Sequence, residues 1–415
     1  MTVSNPDAPA VETAATAAAT KAQERRALGV GSGAHALHDG YVDILYIMLP
    51  LWQAEFGLSY AAVGALRTVY SGTMATLQIP ATWLADRIGA AIVLAIGTAL
   101  VGTCYMIAGA STGFVVLVAA LFLGGLGAST QHPIASALVA RAFEGKRAIT
   151  ALGTYNFAGD LGKMALPAIA ALLLWIGFSW RPAVGLLGVV GLFAAVAIFL
   201  LMPRFAAEAP AEPAKPDAPA TPEPPGSRAP LQSGFRLLLA IAMLDSISRA
   251  AFMVFVPFLL IGKGASVATA GFMVTLIFVG GAAGKLVCAW IGARFGIIAA
   301  IVITEIFTAV GILGLLYLPL TGALILLPIL GAVLNGTSSL TYGSVPHFIT
   351  PAQRNRAFGI FYTGTLGAAA LAPTLSGLVG DMVGLSNAMM LAALIALFTL
   401  PLTALIARHL RGREV

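Results

Sequence analysis

Charged side chains are scarce. Asp, Glu, Lys and Arg make up 10% of the 415 residues, against about 25% in soluble globular domains. With 59% hydrophobic residues and a mean hydropathy of +0.93, the composition excludes an ordinary water-soluble fold. Cysteine is scarcer still. Cys104 and Cys288 are the two in the chain. Both fall inside apolar runs and fit no metal or redox spacing, which argues against a structural disulfide. No Walker motif, nucleophile elbow or cofactor fingerprint lies outside those runs, so ATP hydrolysis is excluded and no cofactor is expected. A cleavable leader is not expected either, because the first apolar run follows a polar, Ala-rich tail and is too long for a signal core. The net charge of +6 does not read as nucleic-acid binding, since the basic residues are scattered through short loops.

What is present is long apolar segments. A helix needs about 20 such residues to cross a hydrocarbon core. Twelve candidate spans lie near 30–52, 60–85, 91–110, 114–139, 149–174, 182–202, 236–260, 268–291, 297–317, 322–345, 356–380 and 386–407. Lys21, Arg25, Arg26, Arg87, Arg141, Lys146, Arg147, Arg236, Arg294, Arg354, Arg356, Arg408, Arg411 and Arg413 fall on one side of these spans. Only Arg181 and Lys263 fall on the other. By the positive-inside rule, both termini are expected in the cytoplasm. Residues 203–234, PRFAAEAPAEPAKPDAPATPEPPGSRAPLQSG, read as a linker unable to form a packed core.

Span one carries the most informative anomaly. GVGSGAHALHDGYVDILYIMLPLW contains His35, His38, Asp39 and Asp43. A charge at the centre of a membrane helix costs at least about 2.5–3.5 kcal/mol, so such groups face a polar interior and mark function by default. His35, Asp39 and Asp43 are spaced by four and share one helix face. The second half repeats the pattern. ALHDGYVD aligns with AMLDSISR, pairing Asp39 with Asp245 and Asp43 with Arg249. LADRIG (84–89) matches IGARFG (291–296), and KRA (146–148) matches NRA (355–357), all at an offset of about 206–209 residues. Parallel six-span repeats are a transporter architecture.

These features resemble the major facilitator superfamily: twelve spans, a long central linker, and a DRxG loop between spans two and three. HALHDGY, LQIP (77–80), GLGASTQHPIASALVAR and NFAGDLG are most similar to the fosmidomycin-resistance type of efflux carrier. The chain departs from that pattern in places. Thr82 holds a Gly position, Ala293 replaces the acid of the second loop copy, and Gly162-Lys163 stands where efflux members carry Gly-Pro. The resemblance implies an all-α membrane protein, with twelve transmembrane helices in two pseudo-symmetric six-helix bundles. The expected divisions are a disordered tail (1–28), an N-terminal bundle (29–202), the linker (203–234), a C-terminal bundle (235–408) and a second tail (409–415). The function it implies is secondary active transport of a small organic molecule, with an anion as one candidate, by proton-coupled alternating access in a bacterial inner membrane. Export is favoured over uptake of a carboxylate or phosphonate. The expected partners are the substrate, protons and the lipid bilayer, with the carrier monomeric.

Each residue has a plain alternative role. Asp39 or Asp43 is expected to carry the proton, with His35 and His38 as relay; a permanent ion pair is the alternative. His35, His38 and Asp39 could instead serve a membrane-embedded metalloenzyme. That requires a third or fourth ligand and a positioned water, and no metal site is expected. Arg67, Lys163, Arg249 and Lys285 are cations at membrane depth. They, with His132, Asp245 and Asn335, are candidates for substrate binding. Arg67 leads because no acid lies within one turn of it on its own helix. Local pairing of Asp160 with Lys163, or of Asp245 with Arg249, is the competing arrangement. Glu305 reads as structural or snorkelling. The resemblance makes Asp86 and Arg87, with Arg141 or Arg356, the cytoplasmic gate.

Overall fold

A computed structural model describes residues 8–204, 233–350 and 353–411. All regular elements among them are helical, as a lipid environment demands of a backbone that must satisfy its own polar groups. In the first half these are α1 (Ala8–Phe56), α2 (Tyr60–Thr76), α3 (Gln78–Ile88), α4 (Ala90–Ala110), α5 (Phe114–Ala128), a π-helical turn (Gln131–Ala135), α6 (Ser136–Arg141), α7 (Gly145–Trp175) and α8 (Trp180–Leu201). In the second half they are α9 (Ser233–Gly262), α10 (Val267–Phe295), α11 (Ile297–Tyr317), α12 (Leu320–Ser344), a 3-10 turn (Val345–Phe348), α13 (Arg354–Val383) and α14 (Leu385–Arg411). Ten helical segments are long and apolar enough to cross a membrane. The remaining two spans are α1, whose own polar face dilutes its hydropathy, and α2–α3, which breaks at Leu77.

Helix α1 runs back to Ala8, so the described part of the expected disordered tail is helical. Residues 1–7, 205–232 and 412–415, which hold most of the linker and the second tail, lie outside the described residues.

The repeat is visible in local chemistry. Ser59 caps α2 by accepting from Ala62 N at 3.2 Å. Ser266 caps α10 by accepting from Thr269 N at 3.1 Å. Gly89 (φ 102°) and Gly296 (φ 84°) turn the chain into α4 and α11, a conformation that favours glycine. That is a local reason for the glycine closing LADRIG and IGARFG.

The buried apolar residues show how the halves meet. Near the face where α1 joins α2, one cluster spans both halves, from Tyr46 and Trp52 to Phe255 and Leu260. Near the opposite face, at the level of Leu28 and Phe235, the clusters separate. Ala85, Val139 and Tyr155 belong to one, Phe235, Val345 and Phe361 to the other. The halves are therefore packed together at the loop face and parted at the terminal face.

Candidate functional site

Asp39 is the hub of the first half. Two close approaches bring α7 against α1. A Cβ at Gly162 would collide with the backbone of Ala36, and one at Gly159 would lie 2.6 Å from His35 Cε1 and 2.7 Å from Asp39 Oδ2. This intimacy sets Lys163 Nζ 3.3 Å from Asp39 Oδ2. His35 Nε2 lies 3.4 Å from the same oxygen. His132 Nε2 reaches Asp39 Oδ1 at 3.8 Å, and His38 Nε2 at 4.0 Å. His132 sits on the π-helical turn, a distortion often found at functional sites. Its ring meets those of His35 and His38 edge-on, at centroid distances of 5.3 and 4.8 Å.

The His35 ring is fixed by its other nitrogen. Nδ1 lies 2.9 Å from the Tyr155 carbonyl oxygen, and the ring stacks on Tyr155 at 4.1 Å. A carbonyl only accepts, so Nδ1 carries a hydrogen. In a neutral ring, Nε2 then turns a lone pair toward the Asp39 carboxylate. The contact becomes attractive only with one additional proton, on the ring or on the acid.

The ligand atoms of His35, Asp39 and His132 lie within 4.8 Å of one another, close enough to converge on a metal ion. Lys163 already supplies positive charge at that carboxylate, which disfavours a second cation there.

Lys163 also reaches Asp160 Oδ1 at 3.8 Å, and Lys285 grips Asp160 at 2.7 and 2.6 Å. A chain of alternating charge thus runs from Asp39 through Lys163 and Asp160 to Lys285, crossing from α7 to α10. Lys285, expected at the substrate, instead ties the halves together. Asp160 was read in the sequence only as a local partner of Lys163.

A cavity of about 240 Å³ lies between the halves. Asp39, Asp43, Arg67, His132, Lys163, Arg249 and Asn335 all line it. Asp43 and Arg249, matched in the repeat, thus share one cavity. Arg67 is partly occupied by its own protein. It donates to Val42 O at 2.7 Å and Tyr46 OH at 3.0 Å, and its guanidinium stacks 4.6 Å over the Tyr46 ring. Arg249 Nε makes no hydrogen bond, which makes Arg249 the more available cation. Asp245 is buried and absent from the cavity lining. Glu305 does not snorkel; it is 1% exposed. Asp86, Arg87, Arg141 and Arg356 are all exposed at the ends of α3, α6 and α13.

The loop face is held by a seam between α2 and α13. Asp381 accepts from Tyr60 N at 2.7 Å and Ala61 N at 2.9 Å, capping α2 from the opposite half. Thr68 donates to Ala370 O, and Thr374 to Thr68. A Cβ at Gly64 would strike the Pro373 backbone.

Two helical bundles, joined at one face and parted at the other around a charged cavity, have the architecture of a membrane transporter. Residues 32–241 and 238–414 match the Major Facilitator Superfamily, and the chain belongs to that family. It is 30% identical over 149 residues to the fosmidomycin resistance protein of Escherichia coli, covering 35% of this chain and 36% of that one. It is 28% identical over 148 residues to a probable L-galactonate transporter of Escherichia coli, covering 35% and 32%. With a probable sulfoacetate transporter of Cupriavidus necator it shares 28% identity over 159 residues, covering 37% and 36%. The matched stretch is thus about a third of each relative. Among solved structures, a bacterial homologue of the human lysosomal transporter Spinster, inward-facing and occupied, superposes with a TM-score of 0.74 at 14% identity, covering 92% of this chain and 96% of that one. The nucleoside transporter NupG superposes with 0.75 at 13% identity, covering 92% and 99%. The family indicates a multi-pass secondary transporter of small molecules rather than an enzyme.

Proposed function

We propose that the chain is a proton-coupled carrier for a small organic anion in a bacterial inner membrane, with both termini cytoplasmic. On that orientation the structure is the inward-facing state. The observation that carries the coupling is the Asp39 hub. Lys163 is shared between Asp39 and Asp160, and His35 meets Asp39 productively only with an added proton. When Asp39 is protonated, Lys163 loses its strongest reason to remain there and becomes available to a substrate anion beside Arg249. Proton and anion then move together. This arithmetic favours uptake of a carboxylate or phosphonate along an inward proton gradient, reversing the export expected from sequence resemblance. Two relatives named for the anions galactonate and sulfoacetate support the anionic substrate. Export remains the second reading, supported by the relative named for fosmidomycin resistance.

Reconstitution tests both. A thermal-shift screen against small carboxylates, sulfonates and phosphonates identifies a ligand, because a molecule that binds the folded state raises its melting temperature. With that ligand, Asp39→Asn should abolish accumulation driven by a pH gradient and leave substrate exchange largely intact. Full gradient-driven transport by the variant would remove Asp39 from the mechanism, and loss only in Asp43→Asn would move the proton site one turn. Substrate flux opposite to the proton flux would replace uptake by export.

A further inference from the structure

Asp245 occupies the position that matches Asp39 in the repeat, yet its surroundings are opposite in kind. Asp39 is ringed by a lysine and three histidines. Asp245 is 3% exposed, and its Oδ2 makes no hydrogen bond. On α11, Glu305 is 1% exposed, and neither of its carboxyl oxygens is hydrogen-bonded. Its carboxyl interacts electrostatically with that of Asp245.

The neighbouring elements offer little positive charge. On α9 itself, Arg236 is exposed in the first turn, and Arg249 stands one turn from Asp245, acts on it electrostatically and lines the cavity. Helix α12 contains no Asp, Glu, Lys, Arg or His, and α14 contains none before Arg408. Arg354, Arg356 and Asp381 lie at the two ends of α13. On α10, Lys285 is engaged with Asp160, and Arg294 is in the last turn. Asp39 and Asp43 belong to α1. The pair therefore has one cation of its own, Arg249, for two carboxyls.

An ionised carboxylate buried without a partner is costly enough that it takes up a proton instead. Two carboxyls that repel each other in low dielectric, with one cation between them, do not both ionise. We propose that Asp245 and Glu305 form a second proton-binding site, in the C-terminal bundle, in which one of the two enclosed carboxyls carries a proton. A metal ion needs a larger shell of oxygen ligands than two carboxyls supply. Arg249, one turn along α9 from Asp245, lines the cavity that neither acid lines. With its proton bound, the pair carries one negative charge and balances Arg249. Without it, a second negative charge holds Arg249 back from the cavity. Proton occupancy and the readiness of Arg249 for an anion are thereby linked.

Infrared difference spectra of the reconstituted full-length protein, recorded between acid and alkaline pH, test this. The wild type should show a protonated-carboxyl C=O band that shifts in deuterium oxide. Glu305→Gln should remove it, and Asp245→Asn should shift or remove it. Glu305→Gln should melt close to the wild type, since it replaces a neutral acid by a neutral isostere. Should that variant fail to fold, Asp245→Asn alone still gives the band readout. Asp39→Asn should leave the band in place, so failure of the Asp39 mechanism and failure of this site are distinguishable. Persistence of the band unchanged in both C-terminal variants would overturn the proposal. Its disappearance from the wild type on adding sodium chloride in place of choline chloride would overturn it in favour of a metal cation.

Discussion

Arg67 shows how a residue legible as a charge acquires a different role once its neighbours are known. Its fork reaches a backbone carbonyl and a phenol on α1, so it braces α1 against α2 at the cavity wall. Hydrogen bonds from a charged group contribute about 1.5–3 kcal/mol. Arg67→Ala should therefore lower unfolding stability by about that amount, with Arg67→Lys intermediate because the bidentate fork and the stacking are lost. Arg249 differs, because its Nε has no protein acceptor. Arg249→Gln should weaken anion binding at least about tenfold, equivalent to about 1.4 kcal/mol, with little change in melting temperature. Calorimetric titration beside thermal unfolding separates the two residues. Equal loss of affinity in Arg67→Ala and Arg249→Gln would return Arg67 to the substrate.

At the scale of elements, helix termini do much of the fastening. Asp381 caps α2 across the halves, and the cap must release when the loop face opens. Removing a capping side chain costs about 0.5–2 kcal/mol. Asp381→Ala should shift the population toward a loop-face-open state several-fold, read as faster thiol labelling of a cysteine placed at Ala61. Labelling no faster than in the same cysteine background would mean that the seam does not gate access. The native thiols do not interfere, since Cys104 and Cys288 are buried.

Arg181 donates to the Gly109 and Ser111 carbonyls that end α4. Lys263 donates to the Leu316 and Leu318 carbonyls that end α11, at 2.9 and 2.8 Å. The two cations on the sparsely charged face thus cap repeat-related helices, where positive charge is favoured. Beyond the end of span one, Glu55 accepts from Trp180 Nε1 at 2.9 Å and Arg181 at 2.6 Å. These hydrogen bonds hold its carboxyl below the ordinary glutamate range. A depressed acid stabilises the fold above its unfolded-state value and loses that contribution as pH falls through the folded one. The acid limb of the thermal-stability profile should therefore flatten in Glu55→Gln, and an unchanged limb would show that the tie contributes nothing.

For the whole molecule, alternating access requires that contacts between halves be exchangeable. Asp43 and Arg249 line one cavity from opposite halves. A charge pair about 4 Å apart in an effective dielectric near 20 gains about 4 kcal/mol, before the opposing desolvation. Asp43→Arg with Arg249→Asp should recover part of the transport lost in either single variant. Absence of any rescue would leave the two charges independent. The Asp160–Lys285 bridge predicts the same pattern for Asp160→Lys with Lys285→Asp, read by transport and by crosslinking between α7 and α10.

The sequence by itself determined the membrane class, the repeat and the family. Those depend on hydropathy run length, charge placement and local turn chemistry, which are written in consecutive residues. It also marked His35, His38, Asp39 and Asp43, because four ionisable groups in one apolar run are anomalous wherever the helix goes. It did not reveal that His132 and Lys163 converge on Asp39, that Lys285 turns to Asp160 rather than to the cavity, or that Asp381 caps a helix of the other half. Each of these pairings joins residues more than 90 positions apart. Only packing decides them, because a charged side chain commits to whichever partner lies within hydrogen-bonding reach. That reach is set by glycines such as Gly159 and Gly162, which let α7 approach α1. Glu305 makes the same point. A lone acid on an outer span reads as structural or snorkelling until the structure shows it enclosed without a hydrogen-bond partner.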